Sequence, residues 1–398
     1  MPTTNLPVEL WLLIVSFSKI SSNDMAVLCR VCAGLYDAVV DSLYESITVD
    51  NSDVCTTLAE CPHLAKKVKS FVFTYPTIMV HDGPKVHLDN LTLALKNMTC
   101  LSTLKLIHSK KHEYSSVLQY CDAKLHLFHC TYDVNRQFLS FLNRQDNIRN
   151  LALAGLPTID IYPTHEEMFL PTSLPHLSEV SADPCFLNDL VQGCPVHTVC
   201  FKGQHLPSSD MRLRDFIDPS TILVKNLGLD LMIWEPVVIH CAPLSKDIEE
   251  ITLTGLVAQQ HPTNWSQIYG IDCWRCHFDG MLAGAQNLKR LMFWFKGKHE
   301  DARSWAQLLF QEFHDTLSRL EHVSCVVAGP DTSMLFDFLS GCPPIPHEDN
   351  RTRGHRAAND VWKLMLVPVL CCWTEENLCD IHSLWTMPLA PRAIEPLY

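Results

Sequence analysis

Leu190-Val191-Gln192-Gly193-Cys194-Pro195-Val196-His197-Thr198-Val199-Cys200-Phe201 carries the plan of the chain in one short stretch. A helix-period segment runs into Gly193, which tolerates a left-handed cap, and Pro195 cannot continue the hydrogen-bond ladder. The triplet Val196/Val199/Phe201 that follows has the spacing L-x-x-L-x-L of a short strand entered from a turn. The same Cys-Pro pair closes Leu58-Ala59-Glu60-Cys61-Pro62 and Leu339-Ser340-Gly341-Cys342-Pro343, so three helices are expected to stop at one kind of turn. After the first of these comes another triplet, Val68/Phe71/Phe73.

Outward from that stretch the triplet recurs at Leu101/Leu104/Leu106, Ile148/Leu151/Leu153, Ile248/Ile251/Leu253, Leu288/Leu291/Phe293 and Leu320/Val323/Cys325. With 47% of residues apolar, any three positions are all apolar about one time in ten, so a triplet alone decides nothing. The helical segments in front of the triplets carry the signal. Leu88, Leu91, Leu95 and Met98 form one face, and Trp305, Leu308, Leu309 and Phe313 form another. The gap between Leu104 and Leu151 is near two ordinary units, which calls for a further strand at Leu125-His126-Leu127. Helix, turn and strand in repetition resemble a degenerate leucine-rich-repeat solenoid. A non-repetitive domain of alternating helices and strands is the other arrangement the pattern allows.

The N-terminal stretch has a different character. Leu10, Leu13, Ile14 and Phe17 lay an apolar stripe along a helix that Pro7 can open. Ser21, Ser22 and Asn23 offer caps for a second helix with Met25, Leu28 and Cys29, and Leu35, Val39 and Leu43 mark a third. Three helices this short cannot enclose a core, so part of their apolar surface needs a partner.

In its order of residues this module resembles an F-box. The likeness rests on Leu6-Pro7-Val8-Glu9-Leu10, Ile14-Val15-Ser16-Phe17, Leu28-Cys29-Arg30-Val31-Cys32, Leu35-Tyr36 and Leu43-Tyr44. Tyr44 stands near the place of the module's terminal Trp, as in many fungal-looking members. The resemblance implies that Leu6, Pro7, Leu10, Ile14, Leu28, Val31 and Tyr36 dock on a Skp-type adaptor, and through it on a cullin. It implies a substrate receptor of an SCF-type ubiquitin ligase, in which leucine-rich repeats commonly follow the F-box.

The bulk numbers agree with a protein-binding role. A net charge of −13 argues against a nucleic-acid backbone as the main partner. No basic leader precedes the first apolar stretch, and Val361 to Trp373 contains Lys363 and Pro368 and is too short to span a bilayer. A cytoplasmic or nuclear location, with no membrane partner, is therefore expected. The 18 cysteines are spread along the chain and read as reduced, core-filling thiols.

Signatures of catalysis are absent. No glycine pattern matches a phosphate loop, a dinucleotide fingerprint or a nucleophile elbow, and no H-E-x-x-H occurs. Cys273-Trp274-Arg275-Cys276-His277 has the C-x-x-C-H spacing of a haem attachment, whose compartment does not suit this chain. As a zinc site, Cys273, Cys276 and His277 lack a fourth ligand. Packed thiols beside a turn are the preferred reading, with no cofactor and no catalytic residue.

The expected architecture is thus α/β, with a small three-helix F-box-like module over residues 1–47 and an irregular leucine-rich-repeat-like α/β solenoid over 48–398. Within it, the Pro-rich then charged segment 343–360 reads as an exposed loop or linker. Residues between the inward leucines of each strand would face an unknown protein substrate, with Lys105, Asn150, Arg290 and Trp294 the leading contacts. Trp294 and Arg290 have the residue types of interface anchors. A leucine-rich-repeat interaction scaffold independent of ubiquitin ligases is the alternative function.

Overall fold

A computed structural model of the chain describes residues 7, 10, 13, 21–49, 53–75, 84–108, 115–154, 174–202, 217–230, 246–257, 284–296, 320–328 and 333–339. The predicted loop at 343–360, the helical face at Trp305 to Phe313 and the Cys273 to His277 cluster lie outside the described residues.

Among the described residues, Leu10 and Leu13 are helical, and two further helices follow them. Ser21 caps α1 (Ser22–Leu28): the Asp24 N–H donates to its Oγ at 3.2 Å, and its hydroxyl donates to Asp24 Oδ2 at 2.7 Å. α2 (Ala33–Glu45) leads directly into β1 (Ser46–Val49), so the boundary drawn at residue 47 falls inside a strand. α3 (Asp53–Glu60), α4 (Pro62–Ala65) and α5 (Pro84–Asn97) follow, with β2 (Ser70–Tyr75) between the last two.

The strands form one sheet in chain order. After β2 come β3 (Thr103–His108), β4 (Leu127–Cys130), β5 (Asn150–Leu153), β6 (Glu179–Ala182), β7 (Thr198–Phe201), β8 (Asn226–Asp230), β9 (Glu250–Val257), β10 (Arg290–Lys296), β11 (His322–Ala328) and β12 (Ser333–Leu339). Every pairing from β1 to β11 is parallel, and β12 alone runs antiparallel to its neighbour. The protein is therefore α/β, as expected, and its sheet is mainly parallel. A 3₁₀ turn (Ser115–Leu118) and the helices α6 (Arg136–Leu142) and α7 (Pro184–Val191) complete the described elements.

Register explains the triplets. Phe71, Leu104, Phe128, Leu151, Val180, Val199, Leu227, Ile251 and Leu291 stand side by side across nine strands, each no more than 2% exposed. Two residues on, Phe73, Leu106, Cys130, Leu153, Ala182, Phe201, Leu229 and Leu253 repeat the pattern. These inward rows share a continuous core with Leu91, Leu95 and Met98 of α5, Phe138 and Phe141 of α6 and Phe186, Leu187 and Leu190 of α7. The helices thus cover one face of the sheet.

The step between strands varies in length while the backbone bonding does not. The N–H groups of Ser102 and Thr103 both donate to Lys69 C=O, and those of His126 and Leu127 both donate to Ser102 C=O. The same pair of bonds opens every later strand up to Glu321 and His322 on Lys289 C=O, so insertions are absorbed elsewhere. Leu104, Phe128 and Leu151 stand 24 and 23 residues apart (104 to 128, 128 to 151), which resolves the long gap into two steps. The extra strand runs over Leu127–Cys130, and its triplet is Leu125/Phe128/Cys130, all buried. β8, with Val224/Leu227/Leu229, is a further strand that sequence patterning did not single out.

Of the three expected Cys-Pro helix ends, two are observed. Gly193 has φ 72°, the left-handed cap after α7, and Pro62 opens α4 one residue after α3. The third is corrected: Ser333–Leu339 is the strand β12. Met334, Phe336 and Phe338 alternate with Leu335 and Asp337, a period of two that favours a strand over a helix.

Candidate functional site

Two surfaces hold the residues singled out from sequence. The first is the N-terminal helical pair. Ala38 and Val39 of α2 pack with Met25, Leu28 and Cys29 as a small cluster separate from the main core. Such a cluster leaves apolar side chains over. Leu10 is 45% exposed, Leu13 53%, Val27 60%, Val31 64% and Tyr36 38%. Pro7 is also exposed. Leu28 is half-buried inside the small cluster and so supports the surface from within, while Leu6 and Ile14 lie outside the described residues. Elsewhere among the described residues, the exposed large apolar side chains are Leu93, Tyr120 and the adjacent pair Ile222 and Leu223.

The second surface is the sheet face away from the helices. Side chains alternate across a strand, so residues two apart share a face. Its first row runs Thr103, Leu127, Asn150, Glu179, Thr198, Asn226, Glu250, Arg290 and His322. Neighbours on this row bond in pairs. Asn150 Nδ2 donates to Glu179 Oε2 at 3.3 Å, Asn226 Nδ2 donates to Thr198 Oγ1 at 3.1 Å, and Arg290 pairs with Glu250 at 2.5 Å. Burial pushes the Glu179 carboxyl above its ordinary range.

Lys105 belongs to the third row, beside His129 of β4. His129 is 2% exposed, and burial, with Lys202 and Lys105 adding to it, holds its imidazole well below the ordinary range and therefore neutral. Trp294 occupies β10 at the register of Val326; its side chain lies outside the described part. The four expected contacts thus lie on strands of one sheet without meeting at one point: Asn150 and Arg290 are five strands apart, about 24 Å at a strand spacing of about 4.8 Å. Sequence reasoning passed over His129, Glu179 and Ser181. They occupy the alternate positions of β4 and β6, and once those strands are in register the period of two finds all three.

At the strand entrances, exposed charges pair across neighbours. Glu249 lies between Lys225 at 2.8 Å and Lys289 at 3.0 Å, which hold its carboxyl down at about 2.

No group of three His, Cys, Asp or Glu among the described residues could hold a metal ion. The described cysteines are free thiols. Burial pushes the Cys55 thiol up to about 12 and those of Cys121 and Cys200 up to about 11, so each stays protonated and unreactive at neutral pH. No described helix is long and apolar enough to cross a membrane. Compared with known proteins, the chain matches no family model and no curated protein sequence.

Proposed function

We propose that this chain is a non-catalytic substrate receptor of an SCF-type cullin ubiquitin ligase. In this reading the N-terminal helices dock on a Skp-type adaptor, and the sheet domain is a degenerate leucine-rich-repeat solenoid that holds a protein target. The observation that carries it is the concentration of exposed apolar side chains in one small module: Leu10, Leu13, Val27, Val31 and Tyr36 all fall before residue 37. Large apolar side chains left exposed together in one short module mark a place where another protein binds. The order of F-box-like residues supplies the class of that partner. The receptor itself would perform no chemistry; it would raise the local concentration of target lysines near a conjugating enzyme.

The fold sharpens the test. Removing residues 1–46 would also remove Val40 and Tyr44, which pack on the main core, so loss of binding by that truncation would not separate docking from folding. Val31→Asp avoids this, because Val31 is 64% exposed. Full-length protein co-expressed with a Skp-type adaptor should capture it. Val31→Asp should lower capture at least about tenfold, the effect of burying an unpaired charge in an apolar contact, with an unchanged urea midpoint. Failure of the wild-type chain to retain the adaptor would leave the scaffold function as the better account.

A further inference from the structure

The sheet ends on a strand whose outer edge has no bonded neighbour among the described residues. β12 is last in the strand order and pairs there with β11 alone, antiparallel and without a register shift over all seven residues. A strand of that length carries a row of N–H and C=O groups along its open side. Proteins guard such edges by keeping them short, by placing lysine or proline on them, or by breaking them with a bulge. β12 has none of these. Met334, Leu335, Phe336, Phe338 and Leu339 are large and apolar, and the one charged residue is Asp337. At the other end of the sheet, β1 is only four residues long. An edge of this length and composition calls for a partner strand.

The sequence holds a stretch of matching length and pattern. Val361-Trp362-Lys363-Leu364-Met365-Leu366-Val367 lies outside the described residues; it too is seven residues long, with Asn359-Asp360 before it and Pro368 after it. Asn and Asp favour turns and Pro cannot donate to a ladder, so both ends read as strand limits. Its one charged residue is Lys363. Laid antiparallel to β12 with both ends flush, it sets Val367 opposite Ser333 and Val361 opposite Leu339. That same register brings Lys363 opposite Asp337. Trp362 falls opposite Phe338 and Leu364 opposite Phe336, and apolar and opposite-charge pairs across strands are the stabilising kind. Two other arrangements fit worse. Laid parallel with its ends flush, the stretch sets Met365 opposite Asp337 and leaves Lys363 opposite Leu335. A second copy of β12, laid antiparallel on the first, sets Leu335 opposite Asp337 and supplies no base.

We propose that residues 361–367 dock on β12 as a further, antiparallel strand and close this edge of the sheet. The 21 residues from 340 to 360 connect the two. At about 3.3 Å per extended residue they reach about 70 Å, against about 23 Å for the length of β12. β12 then has a bonded neighbour on each side, and its edge is open neither to a second copy nor to a strand of a target protein. The inference concerns the end of the sheet and stands whatever the N-terminal module binds.

Hydrogen exchange read by mass spectrometry on the full-length protein tests it, with residues 333–339 and 361–367 as reporters and β2 to β5 as the internal control. Both reporters should be protected in the wild type, and the control strands should keep their protection in every variant. Asp337→Lys and Lys363→Asp each set like charges across the pair, and each should speed exchange in both reporters about fivefold. Combining Asp337→Lys with Lys363→Asp restores an opposite pair and should bring protection back to within about twofold of the wild type. Leu364→Pro, which removes a strand N–H, should abolish the protection of 361–367. Unprotected 361–367 in the wild type, single reversals that leave β12 unchanged, or a double reversal no better than the singles would overturn the proposal. Protection of β12 that rises with protein concentration, together with a doubled mass in sedimentation, would assign the edge to a second copy and overturn it equally.

Discussion

Replacing His129 with leucine should stabilise this protein, and by more as the solution is acidified. His129 is fully enclosed on β4, neither ring nitrogen has a hydrogen-bond partner, and burial with the nearby Lys202 and Lys105 keeps the ring neutral. An unpaired buried polar group costs about 1–3 kcal/mol, and leucine is close in volume, so the gain at pH 8 should fall in that range. The pH term adds to it. In the unfolded chain the imidazole titrates near its ordinary value of about 6.5. In the native state it does not take up a proton until much lower pH. Below about 6.5 the unfolded chain therefore binds one more proton than the native one. The further penalty for keeping His129 neutral is absent above that pH and grows as pH falls toward the native value, at a limiting slope of about 1.4 kcal/mol per unit. Other groups titrate in the same interval, so the informative quantity is the difference between wild type and His129→Leu. Urea midpoints of both, measured each half unit from pH 8 to pH 5, should diverge below 6.5. Parallel curves, or a leucine variant weaker at pH 8, would refute the account of His129 as a buried, unpartnered ring.

Two further predictions probe the packing of the sheet. Gly228→Ala places a methyl 2.6 Å from Cys200 Sγ and 3.1 Å from its Cβ, so it should cost about 1–3 kcal/mol by chemical denaturation. Adding Cys200→Ala should recover only part of that, because the Cys200 Cα stays 3.3 Å away. Phe128→Ala removes a ring packed 5.8 Å from Phe138 and 5.2 Å from Phe141, and should cost about 3–5 kcal/mol in the same assay.

Most of the sheet was legible because burial leaves a mark at a fixed spacing. Inward positions such as Leu104, Leu151 and Ile251 must be apolar on every strand, and a turn residue such as Gly193 records its own backbone angle. β4 was only half legible: its inward pair is Phe128 and Cys130, and the cysteine weakens the apolar signal. β8 escaped because Gly228 and Asn226 dilute a short strand with residues that favour turns. β12 was misread since its capping-like Gly341-Cys342-Pro343 ending suits a strand stop as well as a helix stop. The outward row of Ala152, Ser181, Cys200, Gly228 and Thr252 was illegible for another reason. Serine, threonine, alanine and glycine on a sheet face carry no pattern of their own, and register alone collects them into one row.

Register also changes what the N-terminal module is. Tyr36, Val40 and Tyr44 are four residues apart on α2 and share one stripe of the helix. At its start the stripe is open, with Tyr36 38% exposed; at its end Val40 and Tyr44 are packed on the main core. Lys67 pairs with Asp41 and Lys69 with Glu45 at 3.0 Å, so the turn leading into β2 holds the same end of the helix through charge as well. The chain then enters β1 without a linker. A docking surface carried by this helix cannot swing freely relative to the sheet. Under the receptor reading, the distance and direction from adaptor to bound target are set by one continuous helix. Proximity then acts through a fixed geometry, and the lysines within reach are selected by where the target sits on the sheet.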